Sequence, residues 1–205
     1  MESLQHWNNI YATKQAHEVS WTQALPKTSL EFIHAATLPK EAAIIDIGGG
    51  DSKLVDFLLE EGFKNISVLD ISEEALTRAK KRLGVKANYV NWIVSDITSF
   101  HPTTFYQFWH DRATFHFLTT TVQIEKYMAT ARQAVKPGGF VTIGTFSDRG
   151  PTQCSGLNIR QYTEATLTKE LDNGFEKIKC LTEDHETPFH TLQNFLFCSF
   201  KRTVS

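Results

Sequence analysis

Residues 42–52 read AAIIDIGGGDS, an apolar run of strand length that enters three successive glycines. Residues 53–59, KLVDFLL, then carry apolar side chains at helical spacing. The pattern predicts a β-strand, a tight turn and the start of a helix. Glycine tolerates positive φ and lets a ligand approach the backbone without meeting a Cβ atom, while the first helical turn presents unpaired N–H groups. We therefore expect a ligand-binding turn at the carboxyl end of a parallel strand.

A second apolar run, 66–69, ends at Asp70, twenty residues after Gly50. A carboxylate at this strand tip can accept hydrogen bonds from both hydroxyls of a ribose. The glycines and Asp70 together predict a site for a nucleoside-containing cofactor. The alternative interpretation is a tight strand-to-helix turn in an unrelated α/β protein.

The residues around the glycines favour one kind of cofactor. A dinucleotide site uses G-x-G-x-x-G, and Gly48 and Gly50 fit the first two positions, but Lys53 stands at the third. Asp51 would also place a negative charge beside a pyrophosphate. S-adenosylmethionine has no phosphate and carries cationic ammonium and sulfonium groups, so Asp46 and Asp51 are compatible with it. The alternative function is that of an NAD-dependent oxidoreductase.

Length and composition predict one globular domain over residues 1–205, because the chain is 205 residues long with 41% hydrophobic and 21% charged residues. A formal net charge of −2 argues against a protein that grips nucleic acid through its phosphates. No apolar stretch is long enough to span a membrane, and the first residues do not resemble a signal peptide. We therefore expect a cytoplasmic protein without nucleic-acid or membrane partners.

The three cysteines, an odd number without C-x-x-C spacing, predict reduced thiols rather than a disulfide framework or a structural zinc site. They are Cys154, Cys180 and Cys198.

Residues 1–25 predict an N-terminal cap or lid on the sheet edge. Leu4, Trp7, Ile10 and Tyr11 share one face of a helix by their spacing. The same helix could close the cofactor pocket together with Trp21, because an aromatic face attracts a sulfonium cation. A cap and a lid are compatible interpretations, since a lid must also pack against the core.

Helical and strand patterns alternate along the rest of the chain. A helix is expected between a Ser72 cap and a Gly84 stop, with its basic end, Arg78 to Arg82, interpreted as solvated surface. The two last strands should pair as an antiparallel hairpin because no helix separates them. The other elements are helices over 29–38, 124–135 and 163–171, strands over 89–94, 106–110, 140–146, 175–183 and 193–201, and a loop over 147–162.

Polar side chains follow the third and fourth strands, where open α/β sheets bind ligands. Asp96 could accept a hydrogen bond from an adenine amine, or it could simply cap a turn. The fourth strand ends among ionisable residues, which makes its end the expected acceptor side of the site. These residues are His110, Asp111, Arg112 and His116.

Five features in order resemble the class I S-adenosylmethionine-dependent methyltransferases. They are D-x-G-G-G-D from Asp46, the strand-tip acids Asp70 and Asp96, K-P-G-G at 136–139, and the terminal hairpin. The resemblance implies an α/β, Rossmann-like, seven-stranded sheet of order 3-2-1-4-5-7-6, with strand 7 antiparallel, helices on both faces, and a catalytic core over 40–205. It implies S-adenosyl-L-methionine as cofactor and S-adenosyl-L-homocysteine as product. The implied cofactor residues are Tyr11, Trp21, Asp46, Gly48, Gly49, Gly50, Asp51, Asp70, Ile71, Asp96 and Ile97.

A narrower likeness lies in residues 106–115, YQFWHDRATF. They are similar to the F-D-V-V-x-D-K-G-T-F pattern of a group that includes lysine methyltransferases of elongation factor and citrate synthase. Asp111 and Thr114 match that pattern, whereas Arg112 and Ala113 replace its Lys and Gly. The longer stretch WHDRATFHFL looks more like a bacterial methyltransferase subfamily.

Methyl transfer requires the acceptor's lone pair to be held opposite the sulfur, and an acceptor that arrives protonated also needs a base. We expect Asp111 to orient the acceptor and His116 to take its proton, with His110 and Arg112 in the same catalytic set. The alternative interpretations are a structural Asp111–Arg112 ion pair and buried, hydrogen-bonded histidines.

The expected acceptor is a small molecule or a protein side chain that offers nitrogen, oxygen or sulfur. Cys154, His185 and His190 could approach the same face from two loops, but their spacing does not demand a metal site. A module that binds the cofactor without turnover is the third alternative.

Overall fold

Seven strands form one mixed β-sheet in the computed structural model, which describes residues 2–204. Two further short strands, Gln153–Cys154 and Leu157–Asn158, pair with each other. The strands are β1 (Ala43–Ile47), β2 (Asn65–Asp70), β3 (Val90–Val94), β4 (Tyr106–Arg112), β5 (Val135–Phe146), β6 (Gln153–Cys154), β7 (Leu157–Asn158), β8 (Phe175–Glu186) and β9 (Leu192–Arg202). The α-helices are α1 (Glu2–Thr13), α2 (Lys27–Ala35), α3 (Leu54–Glu60), α4 (Glu73–Leu83), α5 (Thr121–Ala134) and α6 (Glu164–Leu171).

The strand order is β3-β2-β1-β4-β5-β9-β8, which confirms the predicted order with β9 as the antiparallel seventh strand. Strands β1 to β5 pair in parallel, with Ile44 opposite both Ile66 and Phe108. β8 and β9 form an antiparallel hairpin, since only a short turn joins them. The parallel pairing of β1 to β4 brings the carboxyl ends of these strands to one edge of the sheet.

Two hydrophobic cores cover the two faces of the sheet. One contains buried residues of α2, α3 and α4, and the other contains those of α5 and α6. Adjacent strand residues point to opposite faces, so Phe108 belongs to the first core and Trp109 to the second. This alternation decides which side chains of β4 can share a site.

Three local predictions need correction. Cys180 and Cys198 are opposite each other in the β8–β9 register, with Cα atoms 4.1 Å apart, and they form a disulfide. The expectation of reduced thiols is therefore wrong for this pair, because a register cannot be read from cysteine spacing. The predicted loop over 147–162 contains the β6–β7 hairpin, and β5 begins at Val135 because Val135 pairs with Tyr106 across a bulge.

In the part of the chain that the structure describes, no helix combines the length and the apolar character needed to cross a membrane.

Candidate active site

A cavity of about 240 Å³ opens at the carboxyl edge of β1 to β4. Most of the predicted site residues line it, together with Thr114 of the resembled pattern and with Ser29, Phe117 and others that the sequence analysis did not single out. The predicted residues in its wall are Tyr11, Trp21, Asp46, Gly48, Gly49, Asp51, Asp70, Ile71, Asp96, Ile97, His110 and Arg112.

The glycine turn admits no side chain. Gly48 and Gly50 have φ values of 63° and 49°, which L-residues rarely adopt. A Cβ atom on Gly48 would lie 1.7 Å from Thr114 Oγ1, and one on Gly49 would lie 2.6 Å from Asp46 Oδ2. Gly50 does not line the cavity, because it packs beneath the Tyr11 hydroxyl. The turn therefore offers bare backbone to the cavity.

Arg82 holds the far end of this turn. Its guanidinium donates to the backbone oxygens of Asp51 and Ser52, at 2.6 and 2.7 Å, and forms an ion pair with Asp56 at 2.7 Å. Arg82 is exposed, as predicted for the basic end of α4, and it also contacts the turn because the fold packs α4 beside it. This contact holds the two residues that precede Lys53, the position at which a dinucleotide fingerprint has its third glycine.

Three acids at the tips of the strands differ in environment. Asp70 is buried and accepts a hydrogen bond from the Ser72 amide at 2.7 Å, and burial raises its pKa to about 7, with the neighbouring Asp46 and Asp51 carboxylates adding to the increase. Burial also raises the pKa of Asp51. Asp96 is exposed and caps a short 3₁₀ helix through the Thr98 amide at 2.8 Å, while it also lines the cavity. The capping interpretation of Asp96 is confirmed.

Aromatic side chains from the N-terminal segment form one wall. The Trp7 ring lies 5.8 Å from that of Trp21 and 5.1 Å from that of Phe117, and the Tyr11 and Trp21 rings are 6.3 Å apart. The side chain of Asn8 accepts a hydrogen bond from the Ser72 hydroxyl at 2.7 Å and so ties α1 to the start of α4. The fold therefore places α1 against the cavity.

A buried polar chain occupies the floor of the cavity. His110 Nδ1 lies 2.7 Å from Asp46 Oδ1, and its Nε2 lies 2.8 Å from Ser29 Oγ. A carboxylate beside Nδ1 favours the tautomer with the proton on Nδ1, which leaves Nε2 as the acceptor. Ser29 was missed because α2 brings it from 81 residues away, and no local pattern signals that contact.

The structure contradicts the predicted placement of Asp111 and His116 in this cavity. The Asp111 carboxylate is fully buried on the opposite face of β4, where Tyr127 donates to Oδ2 at 2.8 Å and the amides of Thr114 and Phe115 donate to Oδ1. Burial, aided by the Arg112 charge, lowers the pKa of His116 to about 3, so this imidazole is neutral. Strand alternation, which the sequence analysis did not apply to residues 110–112, separates Asp111 from His110 and Arg112.

Arg112 does not pair with Asp111, which removes the predicted ion-pair alternative. Its Nη1 donates to the Trp21 carbonyl at 2.8 Å, and its guanidinium lies 4.8 Å from the centre of the Phe195 ring. Burial lowers the pKa of Arg112 to about 10, which leaves it cationic at neutral pH.

Of the residues expected from the two loops, only Cys154 lines the cavity, where burial raises its pKa to about 11. His185 contacts the Ser20 carbonyl, and His190 is exposed beside Glu186. No group of three or more metal-ligating side chains is placed to hold an ion within residues 2–204.

Comparisons with known proteins agree with this geometry. Residues 44–139, from β1 into the start of β5, match a family model described as a methyltransferase domain. The chain is 24% identical over 144 residues to the mouse eEF1A lysine and N-terminal methyltransferase, covering 67% of this chain and 20% of that protein. It is 30% identical over 104 residues to the malonyl-[acyl-carrier protein] O-methyltransferase 2 of Ilyobacter polytropus, covering 50% of this chain and 39% of that protein. The chain thus spans well under half the length of these two curated relatives.

Among solved structures, the chain is similar to the N-methyltransferase NodS of Bradyrhizobium japonicum WM9 in complex with S-adenosyl-L-homocysteine. The TM-score is 0.73 at 15% identity, and the alignment covers 98% of this chain and 97% of that one. This likeness shows a shared fold. The matched methyltransferase domain, the strand order and the glycine turn together support a class I S-adenosylmethionine-dependent methyltransferase.

Proposed function

We propose that this protein transfers the methyl group of S-adenosylmethionine to a nitrogen, oxygen or sulfur atom of a small molecule or a protein side chain. One observation carries the proposal: a single cavity joins the bare glycine turn and Asp70 to the Asp46–His110 pair and Arg112. A cofactor and an acceptor can therefore meet in one cavity, and holding the two together is the main requirement of an in-line displacement.

The residues at the strand tips fit this cofactor. The turn has no room for a Cβ atom, so its backbone can lie against a nucleoside, and the buried Asp70 can accept both ribose hydroxyls. Asp51 and Asp46 suit the cationic end of the molecule and disfavour a pyrophosphate. Asp96 is assigned to the adenine amine through the oxygen that does not cap the 3₁₀ helix.

Apolar and aromatic residues complete the assigned cofactor site. Ile71 and Ile97 line the cavity and would contact the adenine, and Tyr11 and Trp21 would offer aromatic faces to the sulfonium. Helix α1 and the segment through residue 25 act as a lid on the core, because their aromatic rings form a wall of the cavity.

The acceptor side contains one group suited to take a proton. When bound, S-adenosylmethionine supplies an electrophilic methyl group and leaves as S-adenosylhomocysteine. His110 Nε2 accepts the proton of a protonated acceptor, directly or through the Ser29 hydroxyl, and Asp46 stabilises the resulting imidazolium.

Calorimetry and methyl incorporation test the proposal. We expect S-adenosylmethionine and S-adenosylhomocysteine to bind the protein and NAD not to bind. Labelled S-adenosylmethionine added with the protein to a cell lysate should label either the protein or the small-molecule fraction, which names the acceptor class. Tight NAD binding without a response to the other two ligands would indicate an oxidoreductase, and cofactor binding without any labelled product would indicate a binding module.

Substitution of Asp70 tests the ribose contact. Asp70→Ala should weaken S-adenosylhomocysteine binding by about 1.5–3 kcal/mol, roughly 10- to 150-fold, because hydrogen bonds to a charged group are lost. Glu73→Ala, at the exposed start of α4, is the matched control and should leave the affinity unchanged. Unchanged affinity in Asp70→Ala would place the ribose elsewhere.

The raised pKa of Asp70 also predicts a pH dependence. In the free protein this carboxyl is protonated below about pH 7, so its ionised, ribose-binding form must be generated as ligand binds. Affinity should therefore rise with pH up to about 7, by at most roughly tenfold per pH unit, and then level off. The same shift makes Asp70 stabilise the unliganded fold below its unfolded pKa of about 3.9, a contribution lost as pH rises through 7. Calorimetry from pH 5 to 8 measures how S-adenosylhomocysteine affinity depends on pH. An affinity that does not change with pH, as in Asp70→Asn, would contradict the prediction.

His110→Gln should reduce methyl transfer about a hundredfold while leaving S-adenosylhomocysteine affinity nearly unchanged, because it removes the proton acceptor. His34→Gln, an exposed histidine paired with Glu61, serves as the control. Turnover is measured as labelled methyl incorporation. Equal losses of turnover and cofactor affinity would reassign His110 to the cofactor site.

A further inference from the structure

Arg112 lies at the acceptor end of the cavity. In the sheet order, Asp96 follows β3, Asp70 ends β2 and the glycine turn follows β1. Arg112 ends β4, on the other side of β1. Neighbouring strands are about 4.8 Å apart, so Arg112 is roughly two strand spacings from Asp70. Its side chain lines the cavity beside Cys154 and His110.

One whole edge of the Arg112 guanidinium lacks a hydrogen-bond partner. Nη1 donates to the Trp21 carbonyl, whereas Nε and Nη2 are shielded from solvent and have no partner within residues 2–204. Nε–H and the adjacent Nη2–H point in parallel and form the side-on fork that matches the two oxygens of a carboxylate. A buried cation with two unmet donors is unfavourable unless another group supplies the acceptors.

The nearby acids are engaged elsewhere. Asp46 lies against His110, and Glu183 accepts hydrogen bonds from Gln23 and Thr28. Both carboxylates influence Arg112 through space without contacting its free edge. The chain therefore leaves a positive charge and two parallel donors without an acceptor among the described residues at this end of the cavity.

We propose that the methyl acceptor carries a carboxylate, which the Nε/Nη2 edge of Arg112 binds side-on. This inference rests on the proposed methyl transfer and narrows its acceptor class. The planar fork favours a carboxylate over a phosphate, and the position beyond β1 favours the acceptor over the cofactor's own carboxylate. Because both nitrogens are shielded, occupancy requires the side chain or the adjoining Trp21 segment to shift, and the Nε–H proton reports that event directly.

Nuclear magnetic resonance of the ¹⁵N-labelled protein, saturated with S-adenosylhomocysteine, provides the test. The Arg112 Nε–H signal is assigned by its loss in Arg112→Gln and Arg112→Lys. Arg160→Gln, which removes a partly exposed partner of Glu170, is the control. Acetate and benzoate are titrated against the matched neutral probes acetamide and benzamide, and against inorganic phosphate. We expect the carboxylates alone to shift the signal with a saturable curve. Benzoate affinity, followed at the Ala113 amide, should fall at least about tenfold in both Arg112 variants.

The possible results distinguish an acceptor-binding role of Arg112 from a cofactor-binding role. If S-adenosylhomocysteine alone moves the Arg112 signal and both variants weaken its binding tenfold, Arg112 belongs to the cofactor and the inference is overturned. It is equally overturned if amides act like carboxylates, if phosphate binds more tightly than benzoate, or if no probe moves the signal. Failure of the wild-type protein to bind S-adenosylhomocysteine would instead refute the proposed function, and calorimetry detects that failure before any probe is added.

Discussion

Gly48→Ala should abolish measurable S-adenosylhomocysteine binding and lower the free energy of unfolding by about 3–4 kcal/mol. Two effects add at this position. The φ value of 63° is unfavourable for any residue with a Cβ atom, and that atom would lie 1.7 Å from Thr114 Oγ1. Thr114 is itself held by a hydrogen bond to the Ile47 carbonyl at 3.3 Å, so the clash moves the turn or the end of β4. Either shift changes the surface that the cofactor contacts.

Chemical denaturation and calorimetry measure the two effects. Gly62→Ala is the matched control, because its φ of 86° imposes the same backbone strain while no atom lies within 4 Å of the added Cβ. We expect the control to lose only about 1–2 kcal/mol and to retain full cofactor affinity. Equal behaviour of the two variants would show that the close approach of Thr114 has no role.

Asp111→Ala should destabilise the fold by about 3–5 kcal/mol, since it leaves the Tyr127 hydroxyl and two backbone amides buried without an acceptor. The carboxylate links β4 to α5 and to the 3₁₀ helix Phe115–Phe117. Burial raises its pKa to about 6, yet the three donors counteract that increase, so the group is mainly ionised at neutral pH. Its role is thus to hold the end of β4 in shape.

Asp111→Asn tests this interpretation, because an amide keeps one oxygen acceptor and should lose less stability than alanine. Denaturation midpoints are compared with S-adenosylhomocysteine affinity and with methyl incorporation, measured below the midpoint of each variant. A stable Asp111→Ala protein that binds cofactor but lacks turnover would restore Asp111 as a catalytic residue.

The ends of the strands could be predicted from the sequence because they depend on local patterns. Apolar runs of strand length that stop at Asp70 or at the glycines imply parallel strands with a common carboxyl edge, and that edge contains the cavity. The substitution of Ala113 for the glycine of the resembled pattern also has a structural counterpart, because Ala113 has a φ of 68°. The departure retains the left-handed conformation at a cost of about 1–2 kcal/mol.

Contacts between distant segments could not be predicted from local sequence patterns. His110 and Asp111 are neighbours in sequence, yet one faces the cavity with Ser29 and the other faces α5. Only strand alternation, applied to the full length of β4, could have separated them. The disulfide between Cys180 and Cys198 depends on the hairpin register, which small shifts in turn length would change.

The amino-acid sequence alone determined the apolar strands, the glycine turn and the acids at the strand tips, because hydrophobic period and glycine conformation act over a few residues. The order of the strands followed from the resemblance to the class I methyltransferases. The tertiary structure decided which ionisable groups share the cavity. Burial and pairing across the sheet, set by segments far apart in the chain, place His110 with Asp46 and leave one edge of the Arg112 guanidinium without a hydrogen-bond partner in the described residues.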